Sequence, residues 1–285
     1  MEIVKKILKI ENKRWALTSF IFGLFILLPI LVIFLKIFST KGASFYYLWD
    51  TLLLEYSLNT IYLVIIVSVF SLIFGIFPAW FISLYKFPGR KFYDIVLFLP
   101  LAIPSYIMAF TYSDILSYTG PVLSLMREYT PEIYLIFNKD YLQIEILGII
   151  LGLALYPYIY SVSRVSFSLI GSNYINVSKN LGLSSFKTFY KIILPLSTPA
   201  ILSGLFLVIM EVLNEYGAVK YFGVNTYTTG IFRAWFSMGD ITTAIQLAGV
   251  LILLVFILLF LEKNLLSKSK YNYTSNSKIQ NLISL

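Results

Sequence analysis

The stretch Asn176-Val177-Ser178-Lys179-Asn180-Leu181-Gly182, with Ile192-Ile193-Leu194-Pro195 after it, decides the organisation of this chain. It is the longest polar interruption between two strongly apolar segments in the second half of the sequence. Lys179, Lys187 and Lys191 keep it out of the bilayer, because a lysine at the centre of a spanning helix costs about 2.5–3.5 kcal/mol. We therefore expect this stretch to lie at the membrane surface.

Two short helices joined by a turn are predicted within the stretch. Apolar residues at helical spacing run up to Leu181, and Gly182 is a typical helix stop because glycine adopts positive φ without a steric penalty. Ser184 or Ser185 can cap the second helix. One apolar face of that helix is formed by Phe186, Phe189, Tyr190 and Ile193. Pro195 marks the next predicted boundary.

The composition is that of a membrane protein. Of 285 residues, 59% are hydrophobic and 13% are charged, whereas a soluble domain carries about 25% charged residues. The sequence contains neither cysteine nor histidine, which excludes disulfide, thiolate and imidazole chemistry. It also lacks the phosphate-binding motif G-x-x-x-x-G-K-[ST], so the chain cannot hydrolyse ATP itself. We expect no catalytic site, no metal site and no cofactor bound by this chain.

The length of the apolar segments predicts how many times the chain crosses the membrane. About 20 apolar residues span the hydrocarbon core as a helix. Six charge-free windows approach or exceed that length: Ala16–Leu35, Tyr56–Tyr85, Ile95–Ser113, Ile146–Ser163, Ile192–Met210 and Ile241–Leu261. The first is longer than the apolar region of a signal peptide, about 7–15 residues, and is predicted to be an uncleaved span. The prediction is an all-α membrane protein with transmembrane helices at about 16–38, 56–85, 93–115, 144–165, 194–217 and 241–262.

The distribution of lysine and arginine predicts the orientation. A cytoplasmic N-terminus places 16 of these residues in inner segments and 6 in outer segments, as the positive-inside rule requires. Both termini and the 176–195 loop are then cytoplasmic. The predicted divisions are a cytoplasmic N-terminus over 1–15, a main transmembrane domain over 55–262, and a disordered cytoplasmic tail over 264–285. In the long outer loop, 122–129 is predicted to form a short surface helix.

Proline and glycine residues mark special positions in the spans. Pro100, Pro104 and Pro157 each remove a backbone N–H, and such breaks are tolerated where a helix is buried in protein or lines a cavity. These residues are candidates for the pathway or its gate, and kinks that serve only packing are an equal alternative. Gly148 and Gly152 form a G-x-x-x-G pair, which predicts close approach of another helix, either in this chain or in a partner.

Two carboxylates lie near the outer end of the fifth span. Glu211 and Glu215 are four residues apart, so an α-helix would present them on one face. Carboxylates in a spanning segment usually face the bundle interior or water. They are candidates for attracting a cation from outside. The alternative is that Glu215 lies among the lipid headgroups and Glu211 pairs with a polar neighbour.

The central stretch resembles the coupling loop of binding-protein-dependent ABC transporter permeases. That family's pattern is E-A-A, three residues, G, nine residues, I-x-L-P, and Gly182, Ile192, Leu194 and Pro195 fall in register with it. The family's glutamate position is occupied by Asn176, which removes an ion pair to the ATPase at that point. The resemblance implies a type-1 importer bundle whose loop docks onto cytoplasmic ABC ATPase subunits. Phe186, Phe189 or Tyr190 are the expected anchors, since buried aromatics dominate such contacts.

A wider resemblance concerns the substrate. Residues 100–110 and 210–236 resemble the third span, the fifth span and the following loop of ferric-iron uptake permeases. Similarity covers roughly residues 55–262 and corresponds to the N-terminal half of those permeases. Iron is the substrate this implies, while thiamine, phosphonate and polyamine permeases share much of the same pattern.

The resemblance also implies a set of partners. They are a cytoplasmic ATPase that uses ATP, a periplasmic or surface substrate-binding protein, and a second permease subunit, which is a separate chain or another copy. The expected location is a bacterial inner membrane, with lipid as the surrounding partner and no role for nucleic acid. A different class remains as the alternative: a secondary transporter or channel that needs no ATPase and uses Glu211 as an ion site.

Overall fold

The computed structural model describes residues 13–137, 140–170, 174, 177–178, 180–268 and 283–284, and these are predominantly helical. In chain order the helices are α1 (Lys13–Ile37), α2 (Phe45–Thr51), α3 (Leu53–Leu84), α4 (Arg90–Val96), α5 (Ser105–Leu116), α6 (Pro121–Tyr129), α7 (Pro131–Phe137), α8 (Ile144–Leu169), α9 (Ser185–Thr188), α10 (Leu194–Asn214), α11 (Gly217–Tyr221), α12 (Tyr227–Phe232) and α13 (Ile241–Lys268). Leu99–Ala102 is a 3₁₀ turn, Phe189–Ile193 and Arg233–Ser237 are π-turns, and β1 (Tyr85–Lys86) pairs in parallel with β2 (Ile283–Ser284).

Five of the predicted spans are continuous helices, and one is not. The continuous segments that are long and apolar enough to cross a membrane are Leu17–Ile37, Leu53–Leu84, Ile144–Leu169, Ser185–Asn214 and Ile241–Leu266. The third predicted span, about 93–115, is divided into Arg90–Ala102 and Ser105–Tyr129, which meet at 97°. The count of six therefore holds if this bent pair is taken as one span, and the break lies between the two prolines, Pro100 and Pro104, that the sequence singled out in this span.

Two prolines account for this break. The residue before a proline is driven out of the α region, and Ile103 accordingly has φ −108° and ψ 120°. Pro104 itself has φ −54° and ψ 137° and precedes the first residue of α5. Pro100 lies within the preceding 3₁₀ turn, where its missing N–H is least costly. Pro157, in contrast, is buried inside the uninterrupted α8.

The core of the bundle is the contact between α3 and α8, which is the most extensive one among the described elements. Gly148 and Gly152 make it possible, as the sequence predicted, and the partner is a helix of the same chain. A Cβ at Gly148 would lie 2.5 Å from Cγ2 of Ile66, and one at Gly152 would lie 2.6 Å from Cβ of Phe70. The Ser71 hydroxyl also donates a hydrogen bond to the Gly152 carbonyl at 3.3 Å. Helix α10 completes this core by packing on α8 and α3.

At one end of the bundle, the connections around residues 38–52 and 216–240 interlock; we call this the far end. Before α13, Asp240 accepts hydrogen bonds from the Ser44 N–H (2.8 Å), the Thr243 N–H (3.0 Å) and the Thr243 hydroxyl (2.7 Å). Burial alone would raise the pKa of Asp240, but these hydrogen bonds outweigh it and hold that pKa below its usual value. Asp240 thereby joins α13 to the segment that precedes α2.

The loop between α5 and α8 and the C-terminal tail differ in part from the predictions. The predicted surface helix at 122–129 is present as α6, and α7 follows it, which the sequence interpretation did not foresee. Residues 264–268, assigned to a disordered tail, continue α13 because Leu265 and Leu266 extend its apolar character. Residues 269–282 and 285 lie outside the described residues.

Candidate functional site

The first half of the central loop ends in a well-formed turn. Gly182 has φ +72°, as the sequence predicted. The N–H of Leu183 donates to the carbonyl of Ser178 at 3.0 Å, which is the long hydrogen bond of a Schellman helix end. Leu181, just before the glycine, is 74% exposed. Asn176, the position that replaces the family glutamate, lies outside the described residues.

The second half of the loop begins at Ser184 and does not end at Pro195. The Ser184 hydroxyl caps α9 by accepting from the Lys187 N–H at 3.4 Å. From Ser185 the helix continues through the π-turn to Asn214, so Pro195 does not interrupt it, and the boundary predicted there corresponds to the change from π-turn to α-helix at Leu194. The physical reason is the π-turn: the N–H of Leu194 bonds to the carbonyl of Phe189, and this wider spacing accommodates the proline ring directly after it.

The three predicted aromatic anchors have different environments. Phe189 is 4% exposed and stacks on Trp80 of α3 with ring centroids 4.3 Å apart. Phe167 of α8 meets its edge at 5.8 Å. Phe186 and Tyr190 are 62% and 64% exposed. Phe189 is therefore packed into the bundle, whereas Phe186 and Tyr190 are available to a partner.

The remaining motif residues attach the loop to the bundle. Ile193 is buried and Leu194 packs against the same core, while Ile192 is half-buried and Pro195 is exposed. A buried hydrogen bond of 3.0 Å from the Thr188 hydroxyl to the Ser178 hydroxyl joins the two halves of the loop. The described part of the loop is thus attached to α3 and α8 by buried apolar side chains; we call it the knob, residues 177–178 and 180–195.

An ion pair that the sequence interpretation missed lies at the end of the bundle that carries the knob. Arg164 of α8 pairs with Asp94 of α4, and the hydroxyl of Tyr160 donates to the same carboxylate at 2.8 Å. The Ser83 hydroxyl donates to the carbonyl of Arg164 at 3.1 Å, which ties in α3 as well. The first piece of the broken span is thereby attached to the helix that leads into the knob. The sequence signal for this ion pair was an acidic residue, Asp94, next to the third apolar window and a basic residue, Arg164, next to the fourth.

The two candidate carboxylates do not share a helix face. Helix α10 ends at Asn214, and Glu215 turns away with φ −67° and ψ 123°. The Glu215 carboxylate accepts from the Ala218 N–H at 2.8 Å and from the Ser105 hydroxyl, so it joins α11 to α5. Glu211 is exposed on α10. Among the described residues no three acidic side chains converge in a way that could hold a metal ion.

A cavity of about 550 Å³ opens at the far end. Two cationic side chains line it, Lys220 at the end of α11 and Arg233 at the start of the second π-turn. Tyr216 and Phe232 form part of its wall, with rings stacked 3.9 Å apart. The other lining residues are Tyr56, Gly223, Val224, Asn225, Thr229, Phe236 and Ser237. No acidic side chain is among these residues.

Comparison with known proteins decides what this bundle is. Residues 71–266 match the family described as binding-protein-dependent transport system inner membrane component. The chain belongs to that family. The matched region contains the knob, the broken span and the far-end cavity except for Tyr56.

Relatives of this permease transport different substrates. A sulfate transport system permease protein CysT from Salmonella typhimurium is 25% identical over 216 residues, which cover 73% of this chain and 73% of that protein. An Fe(3+)-transport system permease protein, FbpB 2, from Haemophilus influenzae is 28% identical over 204 residues, which cover 72% of this chain and 36% of that protein. The Escherichia coli CysT is 26% identical over 162 residues, covering 56% of this chain and 55% of that protein. The match thus spans about a third to three quarters of these relatives.

Solved structures share the fold. A bacterial ABC transporter involved in the import of the acidic polysaccharide alginate has a chain that aligns with a TM-score of 0.72 at 18% identity, covering 95% of this permease and 100% of that chain. The inward-facing MetNI methionine ABC transporter aligns with a TM-score of 0.59 at 13% identity, covering 77% and 96%. The predicted type-1 importer bundle is confirmed. This chain is an ABC importer permease subunit of the inner membrane and not an enzyme.

Proposed function

We propose that this permease couples ATP hydrolysis by a separate cytoplasmic ATPase to import through the knob. The observation that carries the proposal is the division of the knob into a buried side and an exposed apolar side. Leu181, Phe186 and Tyr190 are exposed at its surface, where apolar side chains are costly unless a partner covers them. Nucleotide is bound by the partner, and no cofactor is assigned to this chain.

The buried side of the knob can transmit a displacement of the knob to the helices of the bundle. The Phe189 ring stacks on Trp80, so a displacement of the knob acts directly on α3. Helix α3 is packed on α8 through the two glycines, and close-packed helices move together rather than deform. The Asp94–Arg164 pair passes the same displacement to the broken span. ATP shifts the equilibrium between inward- and outward-open states only through contacts that differ between them.

A second permease subunit and a substrate-binding protein complete the proposed importer. Glu211 is exposed on α10 within a spanning segment, where a carboxylate normally faces a bundle interior or water. A second permease subunit placed against this face would enclose Glu211 in the shared pathway. The binding protein would deliver substrate at the far end, which requires the orientation predicted from the charge distribution.

For the substrate we propose a small inorganic oxyanion of the sulfate type. The support is the far-end cavity, which is lined by two cations and by no carboxylate, together with the sulfate permeases among the relatives. Glu215 is engaged in hydrogen bonds between α11 and α5. Ferric iron is the second candidate, supported by the iron-transport relative and by the exposed Glu211. Thiamine, phosphonate and polyamine stay predictions from the sequence resemblance.

Transport by the reconstituted complex tests the proposal. The chain is co-expressed with its ATPase, second permease subunit and binding protein, and the complex is placed in proteoliposomes. We expect labelled sulfate to accumulate only with ATP. Accumulation of iron alone would replace the substrate with the second candidate, and accumulation of either without ATP would overturn the coupling role.

The orientation has a separate test. The chain has no native cysteine, so single cysteines at Ser184 and Ser124 can be labelled without interference. We expect a membrane-impermeant thiol reagent to reach Ser124→Cys in intact spheroplasts and Ser184→Cys only after permeabilisation. Labelling of both from outside would refute the cytoplasmic position of the knob.

A further inference from the structure

The wall of the far-end cavity includes a tyrosine whose buried hydroxyl has no hydrogen-bond partner among the described residues. Tyr56, in the first turn of α3, is 1% exposed and lines the cavity. Its hydroxyl makes no hydrogen bond among the described residues. Buried polar groups are nearly always paired, and an exception calls for an explanation in terms of function or a missing ligand. A ligand oxygen in the cavity would satisfy this hydroxyl.

The backbone around Tyr56 is built to admit its ring. Gly230 of α12 lies against it, and a Cβ at that position would lie 2.6 Å from Cε2 of Tyr56. The neighbouring Thr60 hydroxyl accepts from the Tyr227 N–H at 3.2 Å, which fixes α12 against α3. Packing between α3 and α12 therefore holds the Tyr56 ring at the cavity wall. Its position does not depend on a hydrogen bond from its own hydroxyl.

The two cationic side chains of the cavity, Lys220 and Arg233, form no ion pair within the described part of the chain. The carboxylate nearest along the chain to Tyr56, that of Glu55, accepts from Asn225 Nδ2 at 2.8 Å and does not line the cavity. An ammonium group and a guanidinium group facing one space attract an anion, and the guanidinium is suited to two oxygens of a tetrahedral oxyanion.

We infer that this cavity is a binding site for a small tetrahedral oxyanion, held by Arg233, Lys220 and the hydroxyl of Tyr56. The stacked rings of Tyr216 and Phe232 form part of the cavity wall, and Arg233 directly follows Phe232 in the chain and lines the same cavity. This inference rests on the proposed import of an oxyanion. The cavity would be the first site on the permease that binds the anion as it arrives at the far end. Free sulfate and a lipid phosphate share this chemistry, and we assign the site to the free anion.

Equilibrium binding of labelled inorganic sulfate to the purified full chain tests the site. The protein is studied in a phosphate-free maltoside detergent and again in phosphatidylglycerol nanodiscs. We expect saturable binding in both, weakened about tenfold in Arg233→Gln because a charge-assisted hydrogen bond is lost. Arg233→Lys keeps the charge but cannot hold two oxygens at once, so its affinity should lie between those of wild type and Arg233→Gln. Binding that vanishes in nanodiscs would assign the cavity to lipid headgroups and overturn the inference.

Tyr56→Phe separates a ligand role from a structural one. The substitution removes only a hydroxyl that has no hydrogen-bond partner among the described residues. The thermal melting temperature should therefore be unchanged or slightly raised, while sulfate affinity falls several-fold. The matched control is Arg127→Gln, which removes a half-buried cation that lies over the Tyr118 ring and does not line the cavity. Equal affinity in wild type, Tyr56→Phe and Arg233→Gln would overturn the inference.

The outcome for the site is distinguishable from the outcome for the proposed function. Sulfate transport that persists unchanged in the Arg233→Gln complex would refute the proposed binding site but not the proposed importer function. Sulfate binding by the chain without ATP-dependent sulfate transport by the assembled complex would support the binding site and refute sulfate as the transported substrate.

Discussion

Gly182→Val is the sharpest perturbation of the proposed coupling. Gly182 is exposed and lies outside the candidate membrane spans, so we expect the substitution to leave membrane insertion untouched. It acts on the turn that folds the two halves of the knob together, because φ is +72° at this position. We expect the ATPase to bind the variant more weakly and transport to fall with it.

The structure sets the size of the effect. A Cβ added at Gly182 has no atom within 4 Å, so the cost is in the backbone alone. Holding a residue that has a Cβ in the left-handed region costs about 1–2 kcal/mol. If the knob must have its present shape to dock, ATPase affinity falls by about 5- to 30-fold. Gly182→Asn should lose much less, since asparagine tolerates this region.

Binding of the ATPase to the chain in nanodiscs measures the loss directly, with uptake in proteoliposomes beside it. Gly239→Val is the matched control, because Gly239 has φ +65°, also has no atom within 4 Å of an added Cβ, and lies at the far end. It carries the same backbone strain and should bind the ATPase normally. Wild-type ATPase affinity in Gly182→Val, or an equal loss in Gly239→Val, would refute the reasoning.

Three further predictions follow from the packing. Phe189→Ala should lower the free energy of unfolding, measured by denaturant titration, by about 3–5 kcal/mol because the ring is buried. Phe186→Ala should change that free energy by less than about 0.5 kcal/mol because the ring is exposed. Phe186→Ala should nevertheless weaken ATPase binding, measured by co-purification. Gly152→Ala should destabilise the bundle by about 1–3 kcal/mol in thermal melting, since Cβ of Phe70 cannot withdraw; an unchanged melting temperature would contradict the α3–α8 contact. Because the pKa of Asp240 is lowered on folding, its stabilisation is present above the unfolded value of about 3.9 and is lost as pH falls through the folded value. Amide exchange at the start of α13, corrected for its intrinsic rate, should therefore rise below about pH 4 in wild type and not in Asp240→Asn.

The division of roles within the knob shows where sequence reasoning stops. Phe186, Phe189 and Tyr190 lie at the i, i+3 and i+4 spacing that places all three on one face of an α-helix. The π-turn at Phe189–Ile193 changes that register. Trp80, about a hundred residues earlier in the chain, stacks on the buried Phe189 and meets only the edge of the exposed Phe186, with ring centroids 6.3 Å apart. The periodicity identified the aromatic set, and packing against α3 separated the buried member from the exposed ones.

The glutamates and the broken span show the same limit. Spacing alone predicted that Glu211 and Glu215 lie on one helix face. The helix ends between them, and the Glu215 carboxylate instead accepts hydrogen bonds from the Ala218 N–H and the Ser105 hydroxyl. The prolines indicated a break near Pro100 and Pro104. The angle of 97° and the attachment of α4 to α8 through Asp94 and Arg164 could not be read from them.

The sequence by itself determined the features that depend on one short segment at a time. These are the apolar lengths of the spans, the left-handed turn at Gly182 and the close approach at the two glycines of α8, because hydrophobic length, φ preference and the absence of a Cβ are local properties. Only the tertiary structure decided which side chains meet across more than 60 residues of chain. The Trp80–Phe189 stack, the Asp94–Arg164 pair, and the cavity that joins Tyr56 to Lys220 and Arg233 depend on how the helices pack, and no local preference of the chain specifies that arrangement.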